Sequence, residues 1–489
     1  MAKIILAGLL TAQIIASVHV YRANLQLHQR LERLQQAGYL TVPNPRTAAR
    51  LTHIGPAFFG GLFFTLSLGA GLSLLTLTVV WIWHHILGRN RLFLAFVFLI
   101  WAGLLFALNW RGVLPLETAY FIFVPGAVFL AAMKGLPGRS LNAWPASGLI
   151  HVLPVLILAL LWSFELHGRL FLDIRDGLLL SNGVGRKISD FYYRYTPYPA
   201  EAFKSLAQKT LKTADLSHLG QAPDARRIEA RLRFYDYLPV GGHGPVDLSV
   251  QSTPQDIIFE NAGQCMIQTP PKAFLSGPHR VLAKYSWESD RHRFFRGITF
   301  FSFLVGFPIA LYALFHALFG LVWSLFSGPK NRAALASFSC FILALGILFL
   351  FHQTRGRPIE TAELADALQS PRLFTRLSAL RIIQKKRLAW ETFEALPTLS
   401  DSPHVAERYR LVRLLGSSRK KETYRLTLHF LDDPHPNVRC MAYHALGNMG
   451  RREAIGEILK KMKGSDHWYV QMYAYKALRR LGWVQKKSK

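Results

Sequence analysis

The residues best suited to chemistry crowd into one stretch, Asp190-Phe191-Tyr192-Tyr193-Arg194-Tyr195-Thr196-Pro197-Tyr198-Pro199, where aromatic rings surround a base. Such rings can stack nucleobases or sugars. Beside a membrane, tyrosines with an arginine also form an interfacial anchor or a packing surface. On that ground Tyr192, Tyr193, Arg194 and Tyr195 form a candidate interface surface, and nucleic acid is not the expected partner. Upstream, Gly183-Val184-Gly185-Arg186-Lys187 has the glycines of a phosphate nest, yet a lone GxG beside two bases is also a plain turn. Asp173-Ile174-Arg175-Asp176 brings acids and a base together, as an enzyme working on a lipid-linked substrate would need and as a solvated helix start also does. No P-loop, HExxH or GxSxG accompanies these residues. The cysteines Cys265, Cys340 and Cys440 make no CxxC pair, so neither a zinc ribbon nor a thioredoxin-type site is expected. The sequence names no catalytic residue, and no cofactor or metal site is expected.

Ionisable residues within apolar runs are costly in lipid and so draw attention. They are His151, His316, Glu117, Glu165 and the pair His84-His85. His151 and His316 suit a proton relay or a metal, and equally a hydrogen bond to a neighbouring helix. Glu117 and Arg111 flank a tight turn, which predicts an interfacial ion pair. Glu165 and His167 stand at the end of an apolar run, where they can reach headgroups.

The elements that must position these residues follow from composition. Of 489 residues 51% are apolar and only 18% charged, and the apolar ones are clustered, which excludes a purely soluble globule and a disordered chain. About 20 apolar residues cross the hydrocarbon layer as a helix. Seven runs come close, at 4–20, 54–87, 92–109, 118–133, 146–164, 297–326 and 333–351. The predicted fold is therefore a polytopic α-helical membrane protein of about seven spans, five within residues 1–166 and two within 297–352. An uncleaved anchor fits the first run better than a signal peptide, because its basic n-region is a single lysine. Beyond it, Leu27, Leu31 and Leu34 share one helical face with arginines around the rest, either lying on the membrane or packed in the bundle. Gly69 and Gly71 are possible kink points in the long second run.

Net charge is +29, and residues 353–489 hold nearly half of it, with 27 Lys/Arg against 13 Asp/Glu. That basic tail suits anionic lipid headgroups, nucleic acid or an acidic protein face. With seven spans, one side of the membrane receives seven basic residues near span ends and the other thirteen. Retention of positive charge then places the central domain and the C-terminus in the cytoplasm, with a bacterial inner membrane as the expected location. Phe58-Phe59-Gly60-Gly61-Leu62 echoes Phe294-Phe295-Arg296-Gly297-Ile298, each opening a long run, as in a transporter's internal repeat and as chance allows in apolar sequence.

Residues 167–296 break the hydropathy and read as an inserted α+β extramembrane domain. Pro199 predicts a helix start, with Phe203, Leu206, Thr210 and Leu211 on one face. Alternation of Ile228, Ala230, Leu232 and Phe234 predicts a strand over 227–237, with further strands at 256–260 and 281–287.

From about residue 361 the chain repeats, with Leu373, Val405, Val438 and Val470 spaced by 32, 33 and 32 residues. The clearest unit runs Asp433-Pro434-His435-Pro436-Asn437-Val438-Arg439-Cys440-Met441-Ala442-Tyr443-His444-Ala445-Leu446-Gly447. It resembles the short HEAT-like repeats also seen in phycobiliprotein lyases. The resemblance covers 361–489 and implies an α-solenoid that binds another protein; it carries no catalytic residue to transfer. Val405, Val438, Ala442, Ala445, Leu446, Val470, Ala474 and Leu478 are the expected core positions. The unit degrades at Arg408-Tyr409, and little beyond Ser370-Pro371 and Leu373 survives in the first. Three functions compete: a membrane scaffold or complex subunit holding a partner protein, a transporter or channel component with regulatory soluble domains, and, ranked last, an interface enzyme.

Overall fold

The computed structural model describes residues 2–135, 144–164, 173–220, 224–241, 244–353, 359–389, 392–418 and 420–487. Among them six helices are long and apolar enough to cross a membrane. They are α1 (Ala2–Gln36), α2 (Ile54–Ile86), α3 (Arg91–Asn109), α4 (Pro115–Gly135) and, after the central domain, Arg293–Trp323 and Asn331–Gln353. A further apolar helix, α5 (Trp144–Ser163), has its described apolar part at Leu153–Ser163. The side chain of His151, and Glu165 and His167, lie outside the described residues.

Helix α1 runs on without a break past the apolar stretch. Its second half does not lie on the membrane: Leu27 and Leu31 enter the protein core, and Leu34 packs with Tyr39, Leu238 and Val240. Helix α2 stays helical through a π-turn at Thr65–Gly69. Its glycines serve close packing. A Cβ on Gly71 would stand 2.5 Å from Ser302, and one on Gly306 would stand 2.7 Å from the Gly71 backbone, so the two long helices cross there nearly backbone to backbone.

The expected Arg111–Glu117 pair does not form. Glu117 is buried at 4% exposure, with His292 Nδ1 at 3.0 Å and His19 Nε2 at 3.6 Å. Arg111 instead turns outward, donating to the Trp287 and Glu288 carbonyls. A single helical turn separates Glu117 from the bend, and that turn carries it inward. His316 Nε2 lies 3.3 Å from the Ala333 carbonyl of the next helix, and Arg89 Nε donates to His84 Nδ1. Among the described residues no group of His, Cys, Asp and Glu is placed to hold a metal.

The central domain opens with α6 (Gly183–Tyr195) and α7 (Pro197–Phe203). A five-stranded sheet follows in the order β2-β1-β3-β4-β5: β1 (Lys212–Asp215), β2 (Tyr237–Pro239), β3 (Leu248–Ser252), β4 (Ile257–Asn261) and β5 (Gln264–Thr269). Strand β1 runs parallel to both neighbours, and β3 to β5 form antiparallel pairs. The two-residue loop Ala262-Gly263 has positive φ at both positions, the geometry that matches strand twist in a hairpin.

The strand expected at 256–260 is β4. The other two are helices, α8 (Ala225–Phe234) and α9 (Pro278–Glu288). In α8 only Ile228 and Leu232, four apart, are buried, while Ala230 and Phe234 face out. An alternating set also contains i,i+4 pairs such as Ile228 and Leu232, and Ala, Arg, Glu and Leu favour helix strongly. In α9 the buried set is Leu282, Tyr285 and Ser286. The helix expected to continue from Pro199 through Leu211 ends at Phe203; Leu206 lies in a separate 3-10 turn closed by a Ser205/Gln208 capping box.

Asp247 ties α1 to the sheet, 3.2 Å from Arg30 and 2.7 Å from Lys209, and it accepts the Thr213 N–H at 3.0 Å. Burial would raise its carboxyl, but Lys209 and Arg30 hold it below the usual range. After α9 come α10 (Arg293–Trp323) and α11 (Pro329–Gln353), and then the helical C-terminal region.

Candidate functional site: the C-terminal solenoid, its joint and its groove

The solenoid is built from α12 (Leu373–Lys386), α13 (Val405–Leu415), α14 (Lys421–His429), α15 (Pro436–Met449), α16 (Ala454–Gly464) and α17 (Trp468–Arg480). Helices α12, α13, α15 and α17 stack in that order, with α14 and α16 behind them. All eight expected core positions are buried, from Val405 at 4% exposure to Val438, Ala442, Leu446, Ala474 and Leu478 at 0%. Gly447 closes the unit because a Cβ there would come within 3.1 Å of the Ala477 Cα.

Each unit opens on the same turn. Ser370, Ser402, Asp433 and Ser465 accept the backbone N–H two residues on, at Arg372, His404, His435 and His467. A polar side chain six residues further reaches back to the same turn: Arg376, Arg408 and Gln471 donate to the carbonyls of Ser370, Ser402 and Ser465. Successive units are also bridged by Arg376–Glu407 at 2.5 Å and Arg408–Asp433 at 2.6 Å. The first unit therefore has the same construction, although its sequence shows little of the consensus. The Ser/Asp positions, spaced by 32, 31 and 32, are the signal that shows it.

The family model for HEAT repeats matches residues 394–479. This part of the chain is a HEAT-repeat array. Such repeats generally mediate protein–protein binding. No curated protein and no solved structure matches the chain.

One side of the HEAT array is docked on the chain itself. Asn437 Nδ2 donates to Ser189 Oγ at 3.2 Å, and His435 lies 3.4 Å from Asp190. Tyr193 meets Tyr469 edge to face at 4.9 Å, and Tyr198 meets Trp468 at 5.2 Å. At the centre is Asp176, 2% exposed, 2.7 Å from Arg175 and 3.8 Å from both Arg410 and Arg413. Arg175 also donates to the hydroxyls of Tyr193 and Tyr409. Burial pushes the Arg410 guanidinium below its ordinary value, against the pull of Asp176. The acid and base of the 173–176 segment thus pair with each other and with the solenoid.

The four residues of the candidate interface surface part company. Tyr193 lies in the joint, and Tyr195 packs on Phe59 and Phe191 at 4.9 and 4.8 Å. Tyr192 and Arg194 are exposed. The glycines of 183–187 open α6, whose first turn is capped by Asn182 accepting from the Gly185 N–H at 2.7 Å.

A second part of the joint escaped sequence reasoning. The Asn44 N–H donates to Gln471 Oε1 at 2.7 Å, and Asn44 Nδ2 donates to the carbonyls of Lys463 and Ser465. Gln485 exchanges two hydrogen bonds with the Leu40 backbone. Tyr475 and Arg479 close on Asp236, whose carboxyl burial raises. The one available signal was Gln471, standing where the preceding unit has Arg439.

Bordering these contacts at Arg413, at the C-terminal ends of α12, α13 and α15, a groove of about 1000 Å³ runs across the array. Arg387, Arg413, Lys420 and His444 line it, and no acidic residue is among its described lining. Burial, Arg480 and Arg413 push the His444 imidazole down.

Proposed function

We propose that this chain is an integral membrane scaffold or complex subunit that holds a partner protein on its HEAT array, and that the partner presents an acidic segment. The observation that carries this reading is the groove, where Arg387, Arg413 and Lys420 gather and no described lining residue is acidic. Charge complementarity of this kind steers encounter and fixes register. The joint supports the same reading, because it holds the array against the membrane-proximal segment at many points.

The test is affinity purification of the full chain from membranes in mild detergent, comparing wild type with Arg387→Glu/Lys420→Glu. Partners that co-purify with wild type should fall about tenfold or more with the double reversal, at equal membrane yield. Equal retrieval by both proteins would sink the groove as the binding surface. Deleting 361–489 should abolish retrieval. The orientation that accompanies this proposal, with central domain and C-terminus cytoplasmic in a bacterial inner membrane, predicts that a C-terminal tag is shielded from impermeant label in intact cells.

One observation favours transport as a second reading. The carboxylate of Glu117 is buried among helices α1, α4 and the start of α10, between two histidines. Vesicles reconstituted with the chain should then move protons or a coupled solute, and Glu117→Gln should stop them.

A further inference from the structure

We infer that the cleft between the end of α3 and the start of α10 is a headgroup site for an anionic phospholipid. This rests on the membrane insertion read above. A cavity of about 430 Å³ opens there. Its walls are apolar where the helices enter the hydrocarbon layer, with Ala107, Leu108, Phe294 and Ile298. Along the same two helices Phe106, Phe301 and Leu304 are largely exposed, at 63%, 68% and 60%. Helix α3 as a whole is left open, with 6% of its apolar window buried against 56% for α2. Acyl chains fit such a surface, since lipid tails are as apolar as the side chains they would touch.

The mouth of the cleft is cationic. Arg111 is committed to Glu288, 3.7 Å away, and to two carbonyls. Arg291 and Arg293 have no carboxylate partner among the described residues. Arg293 lies 3.4 Å over the ring of Trp287, which holds the guanidinium at the rim. The one acid in the lining, Asp290, is buried and taken by Arg296. Trp110 and Trp287, 70% and 51% exposed, flank the mouth as rings seated among headgroups do. Two unanswered guanidiniums suit a phosphodiester, which they can grip with paired N–H groups. A soluble phosphate would leave the apolar walls uncovered.

The test uses the full chain in mild detergent and native mass spectrometry with added phosphatidylglycerol or phosphatidylcholine. Wild type should retain phosphatidylglycerol in preference. Arg291→Gln/Arg293→Gln should bind it roughly 30-fold more weakly, at about fivefold per arginine, while Arg291→Lys/Arg293→Lys falls between the two, keeping the charge and losing the paired N–H geometry. Resistance of the wild type to alkaline carbonate extraction reports insertion separately; a chain stripped from membranes would overturn both this inference and the membrane reading. An inserted wild type that binds the two lipids equally overturns the inference alone. So does displacement of phosphatidylglycerol by millimolar glycerol phosphate, or undiminished binding by the glutamine pair.

Discussion

Helix α13 shows its arginines to two surroundings. Toward residues 173–198, Arg410 and Arg413 close on the buried Asp176 beside Arg175. At the end of the helix, Arg413 also borders a groove shared with Arg387 and Lys420, where no described lining residue is acidic. The same basic composition thus meets two different surroundings. In the joint a carboxylate is present and the positive charge is structural. In the groove no described lining residue is acidic, and it is there that an acidic partner is proposed to dock. The +14 balance of residues 353–489 could not distinguish these, because a net count carries no partner list.

The sharpest way to break the joint and spare the groove is Asp176→Asn. It leaves Arg175, Arg410 and Arg413 crowded with no counter-charge, at a cost of about 3 kcal/mol. Trypsin should then cut the 405–415 region of the membrane-embedded protein faster than in wild type, and unchanged cleavage would refute the role given to Asp176. Acid should loosen the array at the start of α17 through His467, which stands at that helix's N-cap. Burial, then Arg439, holds its imidazole at about 4, against 6.5 for the ordinary group. The unfolded chain therefore binds the proton first. The stabilisation is fully present above about pH 6.5 and is lost as pH falls toward 4, up to about 3 kcal/mol. Thermal melts of His467→Asn should lack that part of the acid dependence, and an identical pH profile for both proteins would exclude it.

Asn44→Ala tests the part of the joint that left no trace in the sequence. It deprives the carbonyls of Lys463 and Ser465 of a donor and removes the cap on the Thr47 N–H. A loss of about 2 kcal/mol is expected, read as faster hydrogen exchange at residues 463–471. What was legible in the sequence was periodic. The apolar runs, the spacing of Leu373, Val405, Val438 and Val470, and the burial of Ala442 and Ala445 all follow from repeats of fixed length. Single long-range pairs such as Asn44–Gln471 or Glu117–His292 have no period, so one sequence cannot announce them. Residues 227–237 misled for the opposite reason: a short alternating run satisfies two periods at once, and the buried pair Ile228 and Leu232 obeys the helical one.

The smallest change separates stability from binding within the groove. Helix α12 ends on Arg387 at φ +53, and α15 ends on Gly450 at φ +72, two units further along. Gly482, one unit beyond that, has φ +80. The left-handed conformation thus follows three of the four first helices, α13 ending instead on Gly416 at φ −63, and Arg387 adopts it against the strain of its own Cβ. Arg387→Gly should relieve that strain and stabilise the array by about 0.5–1 kcal/mol, after the entropy that glycine adds to the unfolded chain. It also removes a cation from the groove. The expected result is a higher melting temperature together with weaker partner retention. A variant that is more stable and retains its partner fully would show that the arginine is only an ill-fitting helix stop. One that is less stable would show that the side chain does more for the fold than its exposed position suggests.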